Sequence, residues 1–400
     1  MKKILRLINL LYLAPALLLL PVCYTYLIYP LMLVLLSKNK DSNTLNYDKE
    51  DLPMLSIIMA AHNEELILRK KLDSIFSSEY PKNKLELLIG TDCCNDSTDD
   101  IIASYKVEHP EIQHVIFKER SGKVRIVNQL VQKTNNEILV LTDANVLFSK
   151  NTLFELAKHF KNKQIGLVDS HMKHYGLSET GISFPEQSYI SLEVQLKDAE
   201  GKQFGSMMGP FGGCFAMRKN LFSEVPSNYL VDDFHISMNV LRQKAQCIHE
   251  HKAIVFEDVS NHLSAEFKRK VRISTGNFQN LAHFKSMLLR ADKVAFVFIS
   301  HKVLRWLSPF FLSVALISAY CFRAHSSLNL FILTGFCIVI SLVLLDLLLM
   351  KMKFHLRLLR YLTHFTSMNL ALLIGFFKYL KGNSDGIWHR TERLQNGSPQ

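Results

Sequence analysis

The sequence predicts an α/β fold, a doubly wound and mainly parallel sheet, carried between membrane helices. Two features predict it. Short β-prone runs alternate with polar turns and helical periods between residues 55 and 145, and long, nearly charge-free apolar stretches lie towards both ends. The composition sets the scale. Four hundred residues, 48% hydrophobic, with a mean hydropathy of +0.09, accommodate one globular unit of about 250 residues plus membrane segments and exclude a disordered chain.

The net charge of +11 suits an anionic partner such as a nucleotide diphosphate or lipid headgroups, or loops at an anionic cytoplasmic leaflet. No Lys/Arg block interleaved with aromatics is present, so nucleic acid is not an expected partner. The seven cysteines (23, 93, 94, 214, 247, 321 and 337) have no CxxC spacing. They indicate neither a zinc site nor a disulfide framework, and they fit a reducing compartment.

From the N-terminus, Leu7 to Leu36 carries no charge and is broken by Pro15, Pro21 and Pro30, which predicts one kinked anchor within residues 1–37. A cleaved signal peptide is the rival reading, but the run is long for one. Trp306 to Phe322 and Leu328 to Met350 read as a transmembrane hairpin within residues 301–380. The basic Lys351–Arg360 stretch behind it marks the cytoplasmic side, which places residues 50–300 and the tail 381–400 in the cytoplasm. The N-terminal Lys2, Lys3 and Arg6 pull the other way. Tyr361 to Leu380 is more polar and reads as an interfacial or third membrane helix.

Between the anchors the expected strands are Leu55–Met59, Leu85–Ile89, His114–Phe117 and Ile138–Leu141, with helical periods such as Glu64–Ser77 and Val124–Thr134. In such sheets a ligand binds beyond the carboxyl ends of the strands. Those ends carry Ala61-His62-Asn63-Glu64-Glu65, Gly90 to Thr98 with Asp92 and Asp96, Lys118 to Lys123, and Thr142-Asp143-Ala144-Asn145. An acidic strand tip with a second oxygen two residues on can hold a divalent cation against a diphosphate. Asp and Asn also serve ordinary turn and capping chemistry there.

This series resembles the nucleotide-sugar half of family 2 inverting glycosyltransferases, of the bacterial poly-N-acetylglucosamine, hyaluronan and cellulose synthase-like group, from about Leu55 to Arg393. The resemblance implies the GT-A fold, a UDP-sugar donor and Mg²⁺ or Mn²⁺. It places Asn63, Glu64, Asp92 and Asp96 around the base and ribose, with His62 where an aromatic is usual. Cys94 and Ser97 stand in place of the common Ser and Gly. Arg120-Ser-Gly-Lys123 looks like the R-x-G-K turn that neutralises a diphosphate at a helix start. Asp143 and Asn145 stand at the metal-binding D-x-D, with a neutral Asn in the last place.

Gly209 to Arg218 resembles the glycine-rich segment below the acceptor, and Asp232-Asp233 stands at the acidic pair. Inversion needs a carboxylate to take the proton of the attacking hydroxyl, and Asp233 is the expected base beside Asp232. The same pair could cap a helix, whose dipole would hold the carboxylate low and ionised. Arg269 and Arg272 stand at the Gln and Arg of the Q-x-x-R-W segment, with Ile273 at the Trp. They could clamp the leaving diphosphate or lie on a solvated basic helix. Trp388 belongs to a W-x-x-T-x-R-like ending expected to fold over the site. The pairs His171/His174 and His249/His251 lack a third ligand at metal-site spacing and read as surface or core polar groups.

The expected activity is transfer of a sugar to a hydroxyl of a growing glycan in envelope or exopolysaccharide synthesis at a bacterial membrane. A lipid acceptor of the ceramide or polyprenyl phosphate type and a catalytically silent scaffold are the alternatives. A homodimer or a synthesis partner would fit the small number of spans.

Overall fold

The structure is a computed structural model that describes residues 2–175, 183–258, 263–352, 354 and 356–382. Helix α1 (Lys2–Cys23), a π-helical turn (Tyr24–Ile28) and α2 (Tyr29–Ser37) form one long apolar rod. Pro15 and Pro21 lie inside α1, and Pro30 follows the π turn, where its missing N–H costs least.

The central unit then runs β1 (Leu55–Ala61), α3 (Glu65–Phe76), β2 (Leu85–Asp92), α4 (Thr98–Glu108), β3 (Ile112–Phe117), α5 (Lys123–Lys133), β4 (Ile138–Asp143) and β5 (Val146–Phe148). It continues with α6 (Thr152–Ala157), β6 (Ile165–Tyr175), α7 (Ser183–Phe204), β7 (Cys214–Arg218), α8 (Asp232–Arg242), β8 (Gln246–Asp258) and α9 (Leu263–His283). The eight strands form one sheet in the order β3-β2-β1-β4-β7-β6-β8-β5.

Strands β1 to β4 pair in parallel, with Ile57 opposite both Leu87 and Val140. β1, β2 and β4 are apolar on both faces because helices cover both, as expected for β-α-β crossovers, whereas β3 is a half-exposed edge strand. Beyond β4 the sheet changes character. β7 runs antiparallel to β4 and to β6, whereas β6 and β8 pair in parallel. The fold class is as expected, a mixed and mainly parallel GT-A sheet.

The chain ends in α10 (Lys293–Val297), a second π turn (Phe298–Val303), α11 (Leu304–Cys321), α12 (Ser327–Lys351) and α13 (Arg357–Leu380). Among the described residues, three helical stretches are long and apolar enough to cross a membrane: Tyr12–Ser37, Lys293–Cys321 and Ser327–Lys351. The second begins earlier than the expected Trp306. The polar residues His301, Lys302 and Arg305 that hid its start face carboxylates of α7 instead of lipid.

The two π turns meet: Thr25 Oγ1 donates to the Ser300 carbonyl at 2.6 Å and Tyr24 Oη lies 2.9 Å from Ser300 Oγ. Helix α7 is tied to the same place. Tyr29 Oη donates to Glu200 (3.1 Å), His301 Nδ1 lies 2.6 Å from Glu200, and Glu193 is ringed by His301, Lys302 and Arg305. The apolar helices from both ends of the chain are thereby joined to α7 by buried polar contacts. Helix α13 lies along α9, where a Cβ at Gly375 would meet Ser274 Cβ at 2.4 Å.

Candidate active site

The strand tips converge as the sequence suggested, but many of their side chains are engaged with one another. Asp92, 3% exposed at the end of β2, accepts from the backbone N–H of Ser121 (2.6 Å) and Gly122 (3.1 Å) and pairs with Arg120 (3.0 Å). It therefore shapes the Arg120–Lys123 turn, where Gly122 takes φ +79°, a conformation an L side chain rarely adopts. His62 Nδ1 lies 2.7 Å from the Asp92 carbonyl, and burial lowers its pKa.

Asn63 and Asp96 staple the first two tips together. Asn63 Oδ1 accepts from Asn95 N (3.0 Å), while Asp96 accepts from Glu65 N (3.2 Å) and Thr98 N (3.0 Å), at the starts of α3 and α4. Glu64 is buried, and its N–H donates to Thr98 Oγ1. These five residues thus lie together at the tips of β1 and β2. Asp96 thus serves the helix starts, as ordinary turn chemistry would have it.

Lys123 opens α5 and spans the centre. Its Nζ lies 2.8 Å from Asp143 and 3.4 Å from Asp232. Burial works against its charge, but Asp143 and Asp232 outweigh it and hold the pKa well above the usual lysine value. A cation thus already sits between these carboxylates, and Asp143 and Asn145 offer the hard oxygen donors that Mg²⁺ or Mn²⁺ requires. Asn145 Nδ2 donates to Glu257 Oε1 on β8 at 3.4 Å, which leaves its carbonyl oxygen as the donor for a metal. The residues present fit a divalent ion.

Asp232 and Asp233 are the first residues of α8, preceded by Val231. The expectation that the helix start keeps Asp233 acidic is corrected here. Burial, then the Asp232 charge, push its carboxyl up to about 6, against the opposing pull of Lys123, the Phe234 N–H and Lys197. The capping alternative for Asp232 does not apply either, since it lies inside the helix and no side chain caps the N-terminus. The glycine-rich segment presses directly on the candidate base: a Cβ at Gly212, φ +80°, would lie 2.5 Å from Asp233 Oδ2. Arg272 donates to the Leu230 carbonyl at 3.2 Å, beside this pair, and Arg269 lies 3.4 Å from Glu266 on its own helix. Trp388 lies outside the described residues.

A cavity of about 580 Å³ opens at Asp233 and runs between the sheet and the membrane helices. Its lining includes Phe211, Ile273, Tyr26, Trp306, Phe365 and Met368.

Residues 56–225 match the family model for glycosyl transferase family 2. The chain carries a family 2 glycosyltransferase domain. It is 22% identical over 257 residues to a probable glycosyltransferase of Bacillus subtilis, covering 62% of this chain and 61% of that one. It is 24% identical to the beta-monoglucosyldiacylglycerol synthase of Trichormus variabilis (61% and 54%), and 22% identical to the poly-beta-1,6-N-acetyl-D-glucosamine synthase of Staphylococcus epidermidis (57% and 55%). The matched region spans somewhat more than half the length of these relatives. Among solved structures, a mannosyltransferase of Pyrobaculum calidifontis, in complex with GDP-Man and Mn2+, superposes with a TM-score of 0.70 at 20% identity, covering 92% of this chain and 99% of that one. That likeness shows the GT-A fold.

Sequence reasoning missed several residues on which the transferase domain depends. Lys71 of α3, fully buried, donates to Thr142 Oγ1 (2.9 Å) and to the Val146 carbonyl and sits 3.6 Å over the Phe148 ring, so it braces the Asp143–Asn145 turn from behind. Burial lowers its pKa to about 7. A lysine in an otherwise apolar helix stripe was the available signal. Gln279 and Asn280 of α9 hold the loop before Asp232. Gln279 accepts from Leu230 N (3.1 Å) and donates to the Asn228 carbonyl (2.9 Å), and Asn280 donates to the Val231 carbonyl (3.0 Å). Nothing in their spacing announced this, because the loop they hold lies about fifty positions earlier.

Proposed function

We propose that the chain moves a sugar, with inversion, from a nucleotide-sugar donor to a hydroxyl acceptor borne by a membrane lipid. The observation that carries this reading is the cavity joining Asp233 to Tyr26, Trp306, Phe365 and Met368 of the membrane-associated helices. An acceptor whose tail rests in the bilayer can present its headgroup to the base by that route. Five cationic side chains (Lys197, Arg269, Lys270, Lys302 and Arg305), each paired with a carboxylate of the protein, and three carboxylates (Glu193, Asp233 and Glu257) line it, which suits a polar headgroup.

In this reading the first two strand tips take the nucleotide, and Lys123 releases Asp143 and Asp232 to meet the donor diphosphate. Asp143 and Asn145 would hold Mg²⁺ or Mn²⁺, whose positive charge would stabilise the departing diphosphate. Asp233, with a carboxyl at about 6, is ionised near neutrality yet basic enough to accept the acceptor proton as the bond to the sugar forms. Arg272 stands beside it to meet the leaving charge.

Transfer to a growing glycan is the second reading. The presence of Ile273 in the cavity wall, where a stacking Trp is usual in processive relatives, disfavours it. Release of nucleotide diphosphate from a panel of UDP- and GDP-sugars by the purified protein tests the assignment. Sugar-selective, metal-dependent release abolished by Asp233→Asn and Asp143→Ala supports it; absence of both release and donor binding returns the chain to the scaffold reading.

A further inference from the structure

Away from this site, the strands β6 and β8 bring together three histidines that the sequence places in two unrelated pairs. We propose that His171, His249 and His251 form a second metal site, for Zn²⁺ or a similar late first-row divalent ion, separate from the Asp143 site. The pairing of β6 with β8 supplies the third imidazole that the spacing in sequence lacks. Ser170 pairs with Glu250 and His171 with Ile254, so the extra residues of β8 bulge out and return His251 to the cluster.

The candidate ligand atoms of all three lie within 4.8 Å of one another. Nitrogens bound to one zinc at about 2.0–2.1 Å stand somewhat closer than that, so small side-chain movements suffice. The supporting groups follow the pattern of bound histidines. His249 Nδ1 faces the fully buried Asp169 at 3.4 Å, which directs its other nitrogen towards the cluster. His249 Nε2 and His171 Nδ1 are both buried without a hydrogen-bond partner among the described residues, an arrangement that a bound cation would resolve. His251 Nε2 lies 3.2 Å from Asp198 of α7, leaving its Nδ1 for an ion.

An imidazole set favours zinc over the hard ions suited to Asp143 and Asn145. The ion would fasten β6 to β8 beneath α7. Asp169 also holds Lys197 (3.4 Å), which lines the cavity at Asp233, so the metal would stiffen the floor of the acceptor side.

The test is metal content and titration of the full-length protein in detergent. We expect about one zinc per chain in wild type and in Asp143→Ala, loss of it in His251→Gln, and an affinity reduced about tenfold in Asp198→Asn. Co²⁺ titrated into chelated wild type should give the visible ligand-field bands of a four-coordinate site of three imidazoles and a water, and Zn²⁺ should raise the Tm. His251 is about half exposed, so its replacement leaves the core packed. Zinc that is absent from wild type with no cobalt spectrum on titration, or zinc retained in His251→Gln, would overturn the site.

Discussion

The proposed donor side and the proposed acceptor side of this molecule are built on different principles. On the donor side, four parallel strands each end in a turn whose residues are consecutive in the chain, and those turns bond chiefly to one another. On the acceptor side, Asp233 is positioned by α9 some fifty residues later, pressed by Gly212 some twenty residues earlier, and faced by helices from both ends of the chain. The first is a local solution, whereas the second depends on long-range packing. Substitutions on the donor side should therefore act through binding and stability, and those on the acceptor side through turnover.

The largest expected effect is Asp233→Asn, which should lower kcat by about 10²–10⁴-fold while donor binding, measured by calorimetry, is kept. Because the reactive form is the carboxylate, wild-type kcat/KM should rise as pH increases through about 6 and flatten above it. Asp232→Asn removes the charge that helps to raise that carboxyl, so the midpoint should move to lower pH. A midpoint that stays in place would remove Asp232 from the account.

Next is Gly212→Ala. A methyl there meets the Asp233 carboxylate at a φ of +80°, so kcat should fall about tenfold or more with the donor KM unchanged. Gln279→Leu loosens the loop before Asp232 and should give a smaller loss of the same kind. An equal loss of donor affinity in either variant would break the contrast between the two sides.

Lys71→Met tests the donor side. It leaves Thr142 Oγ1 and the Val146 carbonyl without their ammonium and should cost about 1–3 kcal/mol in denaturant unfolding near neutral pH. The folded form holds this amine at about 7, below its unfolded value, so the unfolded state binds more protons between pH 7 and about 10.4. Wild-type stability should gain a rising contribution across that window, and the gain should be missing in the variant. Smallest is Asp96→Ala, expected to cost about 1 kcal/mol through two lost helix-start contacts.

The same contrast explains what was legible in sequence. Strands β1 to β4 and helices α3 and α5 could be read because burial on both faces writes continuous apolar runs and each turn announces itself with Gly, Asn or Asp. The tips of those strands followed. Strands β6 and β8 were not read, since polar residues such as His171, His174, His249 and His251 interrupt them, and their meaning emerges only when the two strands lie side by side. The start of the second membrane helix was hidden in the same way, because His301, Lys302 and Arg305 answer Glu193 more than a hundred positions away. The candidate base Asp233 was reached by resemblance, but its raised carboxyl depends on packing that no local pattern encodes.

The most direct test of the central claim, that Asp233 receives its acceptor from the bilayer, is to follow labelled sugar from the donor identified in the panel into products of protein reconstituted in liposomes. The account predicts label in the lipid-extractable phase, lost in Asp233→Asn and reduced at least tenfold in Met368→Trp, which fills the cavity while donor binding persists. Label recovered only in water-soluble glycan, with Met368→Trp as active as wild type, would contradict it.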